Sequence, residues 1–242
     1  MIISHKNKFI WVHTGKAAGT SINILLSSIC GEKDITLGVG SDYKAKELAE
    51  NLGINLERNN YKKFYNCNPK EMLKILKGEK IVNPKYKFHQ GIEEIKRLLP
   101  RDKFENYFKF AVLRNPYETI ISHYFWTLRG SNLTKLDFKN YVTTNFKNII
   151  DNNRKIFMIG NELGVDKLLI YENLEDDLTK VFKKLDINLD IMKLFKKINT
   201  KNYTRKNNES IEYMFKNLDY EIKEIREYCK LEFEYYNFKE LK

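Results

Sequence analysis

The chain has 242 residues, of which 43 are Lys or Arg and 32 are Asp or Glu, so its formal net charge is +11. Hydrophobic residues make up 42% of the chain, a fraction that excludes an intrinsically disordered protein. The chain has only 11 Gly and 4 Pro, which excludes collagen-like and linker-rich proteins. The length fits one α/β domain of moderate size. Because no uninterrupted apolar run reaches about 18 residues, we expect no membrane-spanning helix.

The positive charge predicts an anionic ligand but not a nucleic acid. Lys supplies 35 of the 43 cationic residues and is spread along the whole chain, so much of it forms solvated surface. A nucleic-acid-binding surface needs basic and interleaved aromatic residues on one face, and the spread of Lys does not favour one. The net field still favours an anion. The 8 Arg residues are more informative, because the planar guanidinium is shaped to bind phosphate.

The N-terminal segment and the cysteines indicate a protein that resides in a reducing compartment. The N-terminal apolar run contains Lys6 and Lys8 and lacks a small-residue cleavage site, so we interpret it as a first strand rather than a signal peptide. The three cysteines are far apart and show neither CxxC nor Cys/His spacing. We therefore expect no metal site and no disulfide framework, and we predict a cytoplasmic protein.

Segments typical of strands and of helices alternate along the chain. Short runs rich in apolar and β-forming residues predict strands at 8–13, 85–88, 107–113 and 167–171. Apolar residues at helical spacing, with caps or prolines near several starts, predict helices at 20–30, 69–77, 91–99, 116–128, 174–185 and 210–228. This alternation is typical of an α/β fold, with an open parallel sheet flanked by helices on both faces.

The turn between the first strand and the first helix reads TGKAAGTS and is a candidate phosphate site. Its small residues, Gly15 and Gly19 among them, allow a ligand to approach the backbone closely. The first amides of a helix that begins at Thr20 lack partners within the helix, and the helix dipole favours an anion there. Lys16 adds a cation, and Thr20 and Ser21 add hydroxyl donors. A tight turn capped by Thr20 is an equally good interpretation. The turn is not a Walker A loop, since Lys16 precedes the second glycine.

A second candidate anion site lies in RNPYETIIS, between Arg114 and Ser122. Arg114 ends a strand that is apolar enough to be buried, where a guanidinium is costly unless it is paired. Ser122 lies two helical turns further on and can face the same way. An Arg and a hydroxyl at the carboxyl end of a strand can form an anion clamp. The alternative is an Arg that pairs with a nearby carboxylate such as Glu118.

His89 is the first candidate for a general base. It follows the strand predicted at 85–88, and Lys16, His89 and Arg114 all come just after carboxyl ends of predicted strands. Ligands bind at that edge in open parallel sheets. Lone histidines are more often structural than catalytic, so other candidates stay open. These are Glu93, Glu94, His13 and His123.

Two segments together resemble the nucleotide-binding motifs of the sulfotransferases that use 3′-phosphoadenosine 5′-phosphosulfate (PAPS), in their carbohydrate-type branch. FIWVHTGKAAGTSI resembles the first motif, typically H-x-P-K-T-G-G-T-S, which holds the 5′-phosphosulfate. FKFAVLRNPYETIISHYFW resembles the second, typically V-R-[DN]-P-x-x-x-x-x-S-x-Y, which holds the 3′-phosphate. KFHQGIEEIKRLLP resembles the stretch that carries the catalytic base, and LLIYENLEDDLTKVFKKLDI resembles the strand and helix after the cofactor site. Gly15 replaces the usual Pro, and Ala17-Ala18 replaces Thr-Gly.

The resemblance implies a P-loop-like fold with PAPS as the sulfate donor and roles for individual residues. His89 would be the general base, and Lys16 would stabilise the leaving group. The 5′ side of the nucleotide would lie against Lys16, Ala17, Ala18, Gly19, Thr20 and Ser21. Its 3′-phosphate would lie against Arg114 and Ser122. Candidates for a later cofactor loop are Asn202, Tyr203, Thr204, Arg205 and Lys206.

The resemblance covers most of the chain except about 31–80, which we interpret as an insertion or acceptor-side lid within a single domain, 1–242. The expected function is transfer of a sulfuryl group from PAPS to a hydroxyl of an acceptor, a carbohydrate or another small molecule. One alternative is a P-loop-like kinase that uses ATP, although the GK[ST] loop it needs is missing. The other is a non-catalytic polyanion-binding module, which rests on the net charge alone.

Overall fold

A computed structural model of the protein describes residues 1–61, 66–81, 85–130, 137–188, 190–198, 210–236 and 238. Its central element is a six-stranded sheet in the order β4-β3-β1-β2-β5-β8. The strands of this sheet are β1 (Ile2–Ser4), β2 (Phe9–Trp11), β3 (Ile35–Leu37), β4 (Glu57–Arg58), β5 (Phe108–Leu113) and β8 (Lys167–Ile170). A separate two-stranded hairpin consists of β6 (Met158–Ile159) and β7 (Glu162–Leu163).

The sheet is parallel where it carries the predicted motifs. β2 pairs in parallel with β5, and β5 pairs in parallel with β8. β1 runs antiparallel to β2 and to β3, and β3 runs antiparallel to β4, so four of the six strands point the same way. The predicted α/β fold is therefore confirmed. The antiparallel edge comes partly from β3 and β4, which lie within 31–80 and extend the central sheet.

Helices cover both faces of the sheet. In chain order they are α1 (Gly19–Ile29), α2 (Tyr43–Asn51), α3 (Pro69–Leu76), α4 (Ile92–Leu98), α5 (Arg101–Asn106), α6 (Pro116–Gly130), α7 (Phe138–Phe157), α8 (Leu174–Lys184), α9 (Ile191–Ile198), α10 (Ile211–Met214), α11 (Asp219–Tyr228) and α12 (Lys230–Tyr235). Across the described ranges, no helix combines the length and the hydropathy needed to span a bilayer.

Alternate residues of the strands belong to two separate apolar cores, because successive side chains of a strand point to opposite faces. One core packs against α1, α2, α8 and α9, and its strand residues are Ile2, Phe9, Trp11, Phe110, Val112 and Leu169. The other packs against α4, α5 and the end of α7, and its strand residues are Ile3, Ile10, Leu37, Ala111, Leu113, Leu168 and Ile170. Burial on both faces holds the parallel strand ends in fixed positions, and those ends carry the site.

Three expectations about individual elements are wrong. The N-terminal segment is a hairpin of β1 and β2 rather than one strand, since Lys8 takes a left-handed backbone (φ 52°) and Ser4 Oγ accepts from the Asn7 amide. Residues 85–90 form a turn in place of the strand expected at 85–88. The Gln90 side chain explains the turn: it accepts from the amide of Lys87 and donates to the carbonyl of Lys85.

The third wrong expectation is the single helix at 210–228. The structure has α10 and α11 there, with a turn between them in which Asn217 takes a left-handed backbone (φ 64°). Phe215 and Leu218 flank this residue and are buried in a core formed with α6 and α7. Both apolar residues thus contact the same core across the turn.

Candidate functional site

The candidate site lies at the edge where the parallel strands β2, β5 and β8 end. The loop after β2 contains the TGKAAG turn, Arg114 follows β5, and Tyr171 and Glu172 follow β8. The side chain of Thr14 ties the first two of these connections together, because its Oγ1 donates to the Val112 carbonyl oxygen at 2.6 Å. The sheet register thus brings segments about a hundred residues apart in sequence to one place.

The loop after β2 is a compact backbone turn that leads directly into α1. Lys16 and Ala18 both take left-handed conformations, with φ of 62° and 55°, and Ala18 is the N-cap of α1 without a side-chain cap bond. Gly19 allows the closest approach in the loop, because an added Cβ there would lie 1.5 Å from His13 Nε2. Any larger residue would displace the His13 ring and the start of α1 with it.

Arg114 braces the loop from the end of β5. Its Nη1 donates to the carbonyl oxygen of Lys16 at 2.9 Å, and its Nη2 donates to Glu118 Oε2 at 2.8 Å. The guanidinium also lies over the ring of Tyr171, with 4.3 Å from Cζ to the ring centroid. Its Nε is buried and has no hydrogen-bond partner among the described residues. Glu118, the carboxylate weighed from the sequence as a partner, is thus bound to Arg114 while one guanidinium N–H is still unsatisfied.

Glu172 brings a second carboxylate to this edge. Its Oε1 accepts from the backbone amide of Asn115 at 3.2 Å. Burial raises the pKa of Glu172, and the charge of Arg114 opposes that rise. Arg114 is therefore bound by one carboxylate, that of Glu118, and lies close enough to Glu172 for the two charges to interact.

The side chain of Lys16 extends toward α6. Its Nζ lies 5.4 Å from the centroid of the Trp126 ring, and 58% of Trp126 is exposed. The ring of His123 packs edge-on against Trp126, and its Nδ1 lies 2.5 Å from the hydroxyl of Tyr141. Burial and the Lys16 charge lower the pKa of His123. The Lys16 ammonium and the exposed face of the Trp126 ring therefore lie side by side, next to the loop after β2.

His89 reaches the same edge from the turn before α4. Its Nδ1 lies 2.9 Å from the carbonyl oxygen of His13. A carbonyl can only accept, so Nδ1 carries the proton and Nε2 of the neutral ring keeps its lone pair. The ring packs against His13, with 4.4 Å between centroids, and His13 stacks on Trp11. Burial lowers the pKa of His89, and the bond to the His13 carbonyl only partly opposes that effect.

Asn153 of α7 is a partner of the loop that sequence patterns did not indicate. Its Oδ1 accepts from the Gly15 amide at 2.7 Å, and its Nδ2 donates to the Gly15 carbonyl oxygen at 3.4 Å. A small cavity under the loop is lined by Gly15, Asn153, Arg114 and Glu232, among others. No local signal could have revealed this contact, because the two residues are 138 positions apart.

The structure brings together most of the residues singled out from the sequence. The loop residues Lys16 to Ser21 and Arg114 share one edge, and His89 joins them through the His13 carbonyl although the strand expected before it is absent. Ser122 is half-buried in the second turn of α6. The candidates Asn202, Tyr203, Thr204, Arg205 and Lys206 lie outside the described residues.

Other candidates differ in their surroundings. Glu93 pairs with Arg97 at 2.5 Å on an exposed face of α4, so its carboxylate already has a cationic partner.

The sequence analysis did not identify Tyr171 and Glu172 as site residues. Their position right after the strand KLLI could have indicated them, by the same strand-end rule that led to Arg114. Within the described part of the chain, no three His, Cys, Asp or Glu side chains come close enough to bind a metal ion.

This arrangement can bind an anion and take a proton at neighbouring points. Lys16, Arg114 and the α1 N-terminus supply positive potential, and His89 supplies a neutral imidazole.

Comparisons with known proteins show the family of this chain. The model of the Sulfotransferase family matches residues 1–239. An uncharacterized protein of Archaeoglobus fulgidus is 30% identical over 100 residues, which are 38% of this chain and 79% of that protein. No solved structure matches the chain. Because the family model spans nearly the whole chain, the protein belongs to the sulfotransferase family.

Proposed function

We propose that this protein transfers a sulfuryl group from PAPS to a hydroxyl of a carbohydrate acceptor. The observation that carries the proposal is the contact between the two motifs: Arg114 donates to the carbonyl oxygen of Lys16 at 2.9 Å. A nucleotide with anionic groups at both its 5′ and 3′ positions needs two cationic subsites held at a fixed distance. The Arg114–Lys16 bond provides that fixed distance.

The residues present fit a doubly anionic nucleotide. The buried Nε of Arg114 has no partner among the described residues, and such an N–H is costly unless a ligand or water accepts from it. Lys16 and the first amides of α1 suit the 5′ end, with Ala17, Ala18, Gly19, Thr20 and Ser21 as the backbone around it. Arg114 and Ser122 suit the 3′-phosphate, and Arg205 and Lys206 are proposed to complete that side.

Lys16 and His89 divide the chemistry between them. PAPS, when bound, supplies the sulfuryl group together with a phosphate leaving group. Nε2 of His89 takes the proton from the acceptor hydroxyl as the new O–S bond forms. Lys16 stabilises the negative charge that develops on the bridging oxygen as the old S–O bond breaks. Such a transfer depends mainly on positioning and electrostatics, as phosphoryl transfer does.

Two features support His89 as the base. Its tautomer is set by the His13 carbonyl, which leaves Nε2 unprotonated and directed away from that bond. Its pKa is lowered by burial, so the ring is neutral at neutral pH and able to accept a proton. A charged imidazolium carries a proton on Nε2 as well, so it could not accept the proton of the acceptor hydroxyl.

The exposed face of Trp126 supports a ring-shaped acceptor. More than half of this side chain is exposed, beside the Lys16 ammonium that would mark the reacting end of the nucleotide. An exposed aromatic face next to a charged group is an amphipathic platform of the kind on which ligands pack. The segment at about 31–80 would serve as an insertion or acceptor-side lid in this scheme.

Calorimetric titration with the nucleotide product, PAP, tests the donor side. We expect PAP to bind, and ATP and a single-stranded oligonucleotide to bind at least tenfold more weakly. Preferential binding of ATP would favour a kinase, and preferential binding of the oligonucleotide would favour a polyanion-binding module. A panel of glycans and non-sugar alcohols and phenols, incubated with labelled PAPS, then tests the acceptor. Labelling of the non-sugar hydroxyls alone would overturn the carbohydrate assignment.

A further inference from the structure

The backbone of Gly15 is held by a side chain from another part of the fold. The carboxamide of Asn153 makes two hydrogen bonds to this one residue, one to its amide at 2.7 Å and one to its carbonyl at 3.4 Å. We call this pair of bonds the Asn153 clasp. The amide adjoins Thr14 and the carbonyl adjoins Lys16, so the clasp holds both peptide units that flank Gly15.

Gly15 needs an external restraint because its own chemistry supplies none. Glycine has more backbone freedom than any other residue and loses more of it on folding. The cavity lined by Gly15 and Asn153 lies directly under the loop, so apolar packing there is incomplete. The side of the loop that faces α7 is therefore held by hydrogen bonds rather than by a packed side chain.

The clasp also explains why position 15 has no side chain. A Cβ built on Gly15 would lie 3.2 Å from Asn153 Oδ1, which is tighter than an ordinary van der Waals contact. Gly15 does not need a left-handed backbone, unlike Lys16 and Ala18. The close approach of the carboxamide, rather than the backbone angle, thus favours glycine here.

The segment of α7 that carries Asn153 is itself firmly held. The next residue, Arg154, donates to both carboxylate oxygens of the buried Glu232 at 2.8 and 2.7 Å. Arg154 also donates to the carbonyl oxygen of Tyr228 at 2.8 Å. A bidentate Arg–carboxylate pair is geometrically specific. This part of α7 is therefore fixed against α11 and α12, and the clasp transmits that rigidity to the loop.

We propose that Asn153 is a positioning residue that holds the loop after β2 in the conformation that binds the sulfate donor. The inference rests on the proposed function, because it takes the loop to be the 5′ subsite of PAPS. Asn153 would act through the Gly15 backbone rather than by touching the nucleotide. It would limit the movement of Lys16 relative to Arg114 and so present both cations at a fixed spacing.

The main test compares PAP affinity in Asn153→Ala with that in Asn152→Ala. Asn152 is the exposed neighbour on α7 and serves as the matched control. We expect Asn153→Ala to weaken PAP binding and raise KM for PAPS by about tenfold, since a preorganised loop would become mobile. The control should bind PAP as the unmodified protein does. If Asn153→Ala folds poorly, as judged by thermal unfolding, Asn153→Ser replaces it.

A second measurement follows the clasp without any ligand. Hydrogen exchange of the Gly15 amide should be slow in the unmodified protein and faster in Asn153→Ala, since the acceptor of that amide is lost. Unchanged exchange would overturn the clasp. Faster exchange with PAP affinity within twofold of the unmodified protein would overturn the positioning role. If the unmodified protein does not bind PAP, the proposed function and the donor role fail together, while the exchange data still report on the clasp.

A double-mutant cycle separates positioning from general stability. Gly15→Ala alone should weaken PAP binding, because its Cβ presses on Asn153 Oδ1. In the Asn153→Ala background the same change should cost much less, because the oxygen is gone. Fully additive effects of the two substitutions on PAP affinity would contradict a direct coupling between the two residues.

Discussion

Arg114 Nη1 donates a hydrogen bond of 2.9 Å to the backbone carbonyl oxygen of Lys16, a residue 98 positions earlier in the chain. The residue that follows β5 thus restrains the tip of the loop that follows β2. Because Arg114 also binds Glu118 and lies over Tyr171, its guanidinium is held on several sides. Loss of this side chain should affect the loop as well as any anion bound beside it.

Arg114→Ala should weaken PAP binding strongly. It removes a charge-assisted contact worth about 1.5–3 kcal/mol, which is roughly a 10- to 150-fold loss of affinity. Calorimetric titration with PAP measures the loss. Arg101→Ala is the matched control, because Arg101 is exposed and pairs with Glu105 within α5. Unchanged affinity in Arg114→Ala would refute its assignment to the nucleotide site.

Lys16→Ala should lower kcat far more than it lowers PAP affinity. The charge that Lys16 would stabilise develops only in the transition state, so most of its contribution is absent from the product complex. Single-turnover kinetics with PAPS measures the rate of transfer, and calorimetry measures the affinity for PAP. Lys33→Ala, at an exposed position, controls for the loss of one positive charge. Equal losses in kcat and in PAP affinity would show that Lys16 only binds.

His89→Ala should reduce turnover by roughly 10²–10⁴-fold, the usual range for loss of a general base. PAP affinity should persist, because the imidazole would contact the acceptor hydroxyl and not the nucleotide. Glu93→Gln provides the comparison, since Glu93 is about half-exposed and paired with Arg97 and should retain near-normal turnover. Turnover of His89→Ala within about threefold of the unmodified protein, with Glu93→Gln impaired, would transfer the role to Glu93.

The pH profile offers an independent check on His89. Its pKa is lowered below the ordinary value of 6.5, chiefly by burial. A general base works in its neutral form, so kcat/KM should rise with pH and level off once pH exceeds the lowered pKa. The midpoint of the acidic limb should therefore lie below 6.5. A midpoint above that value, or an identical limb in His89→Ala, would contradict the assignment.

Ala18→Gly should stabilise the protein. Ala18 takes a left-handed backbone with φ of 55°, which costs an L-residue about 1–2 kcal/mol. The added freedom of Gly in the unfolded chain offsets about 0.4–1 kcal/mol of that relief. The net gain in the free energy of unfolding should be about 0.5–1 kcal/mol by urea denaturation. Ala17→Gly is the control: Ala17 is buried without a left-handed backbone, so the same change should destabilise.

Local sequence patterns were sufficient for the strands and helices that carry the motifs, but they did not predict α7, the 20-residue helix that provides Asn153. The strand at Phe108–Leu113 and the helices that begin at Pro116 and Pro69 agree with the sequence interpretation within a few residues. Apolar periodicity and prolines act over a few residues, and they can therefore be recognised without knowledge of the fold. The loop with Lys16 and the Arg that follows β5 were also recognisable, because each motif is continuous in sequence.

Contacts between distant segments were not recognisable in this way. The Gly15 amide finds its acceptor on Asn153, 138 residues later, and the His89 ring finds the His13 carbonyl, 76 residues earlier. Neither pair leaves a periodic or compositional signal, since each depends on how helices pack on the finished sheet. The strand expected before His89 failed for a related reason: a side chain of the same turn, Gln90, took the backbone hydrogen bonds that a sheet would have supplied.

The amino-acid order alone thus specified the alternation of strands and helices around the site and the two motifs proposed to bind the nucleotide, because both depend on residues close together in the chain. The tertiary structure added the spacing between those motifs, the tautomer of His89 and the clasp on Gly15. Each of these depends on hydrogen bonds between backbone and side-chain groups that meet only after the sheet has formed. The catalytic geometry proposed for Lys16 and His89 is therefore a property of the packed fold rather than of either motif.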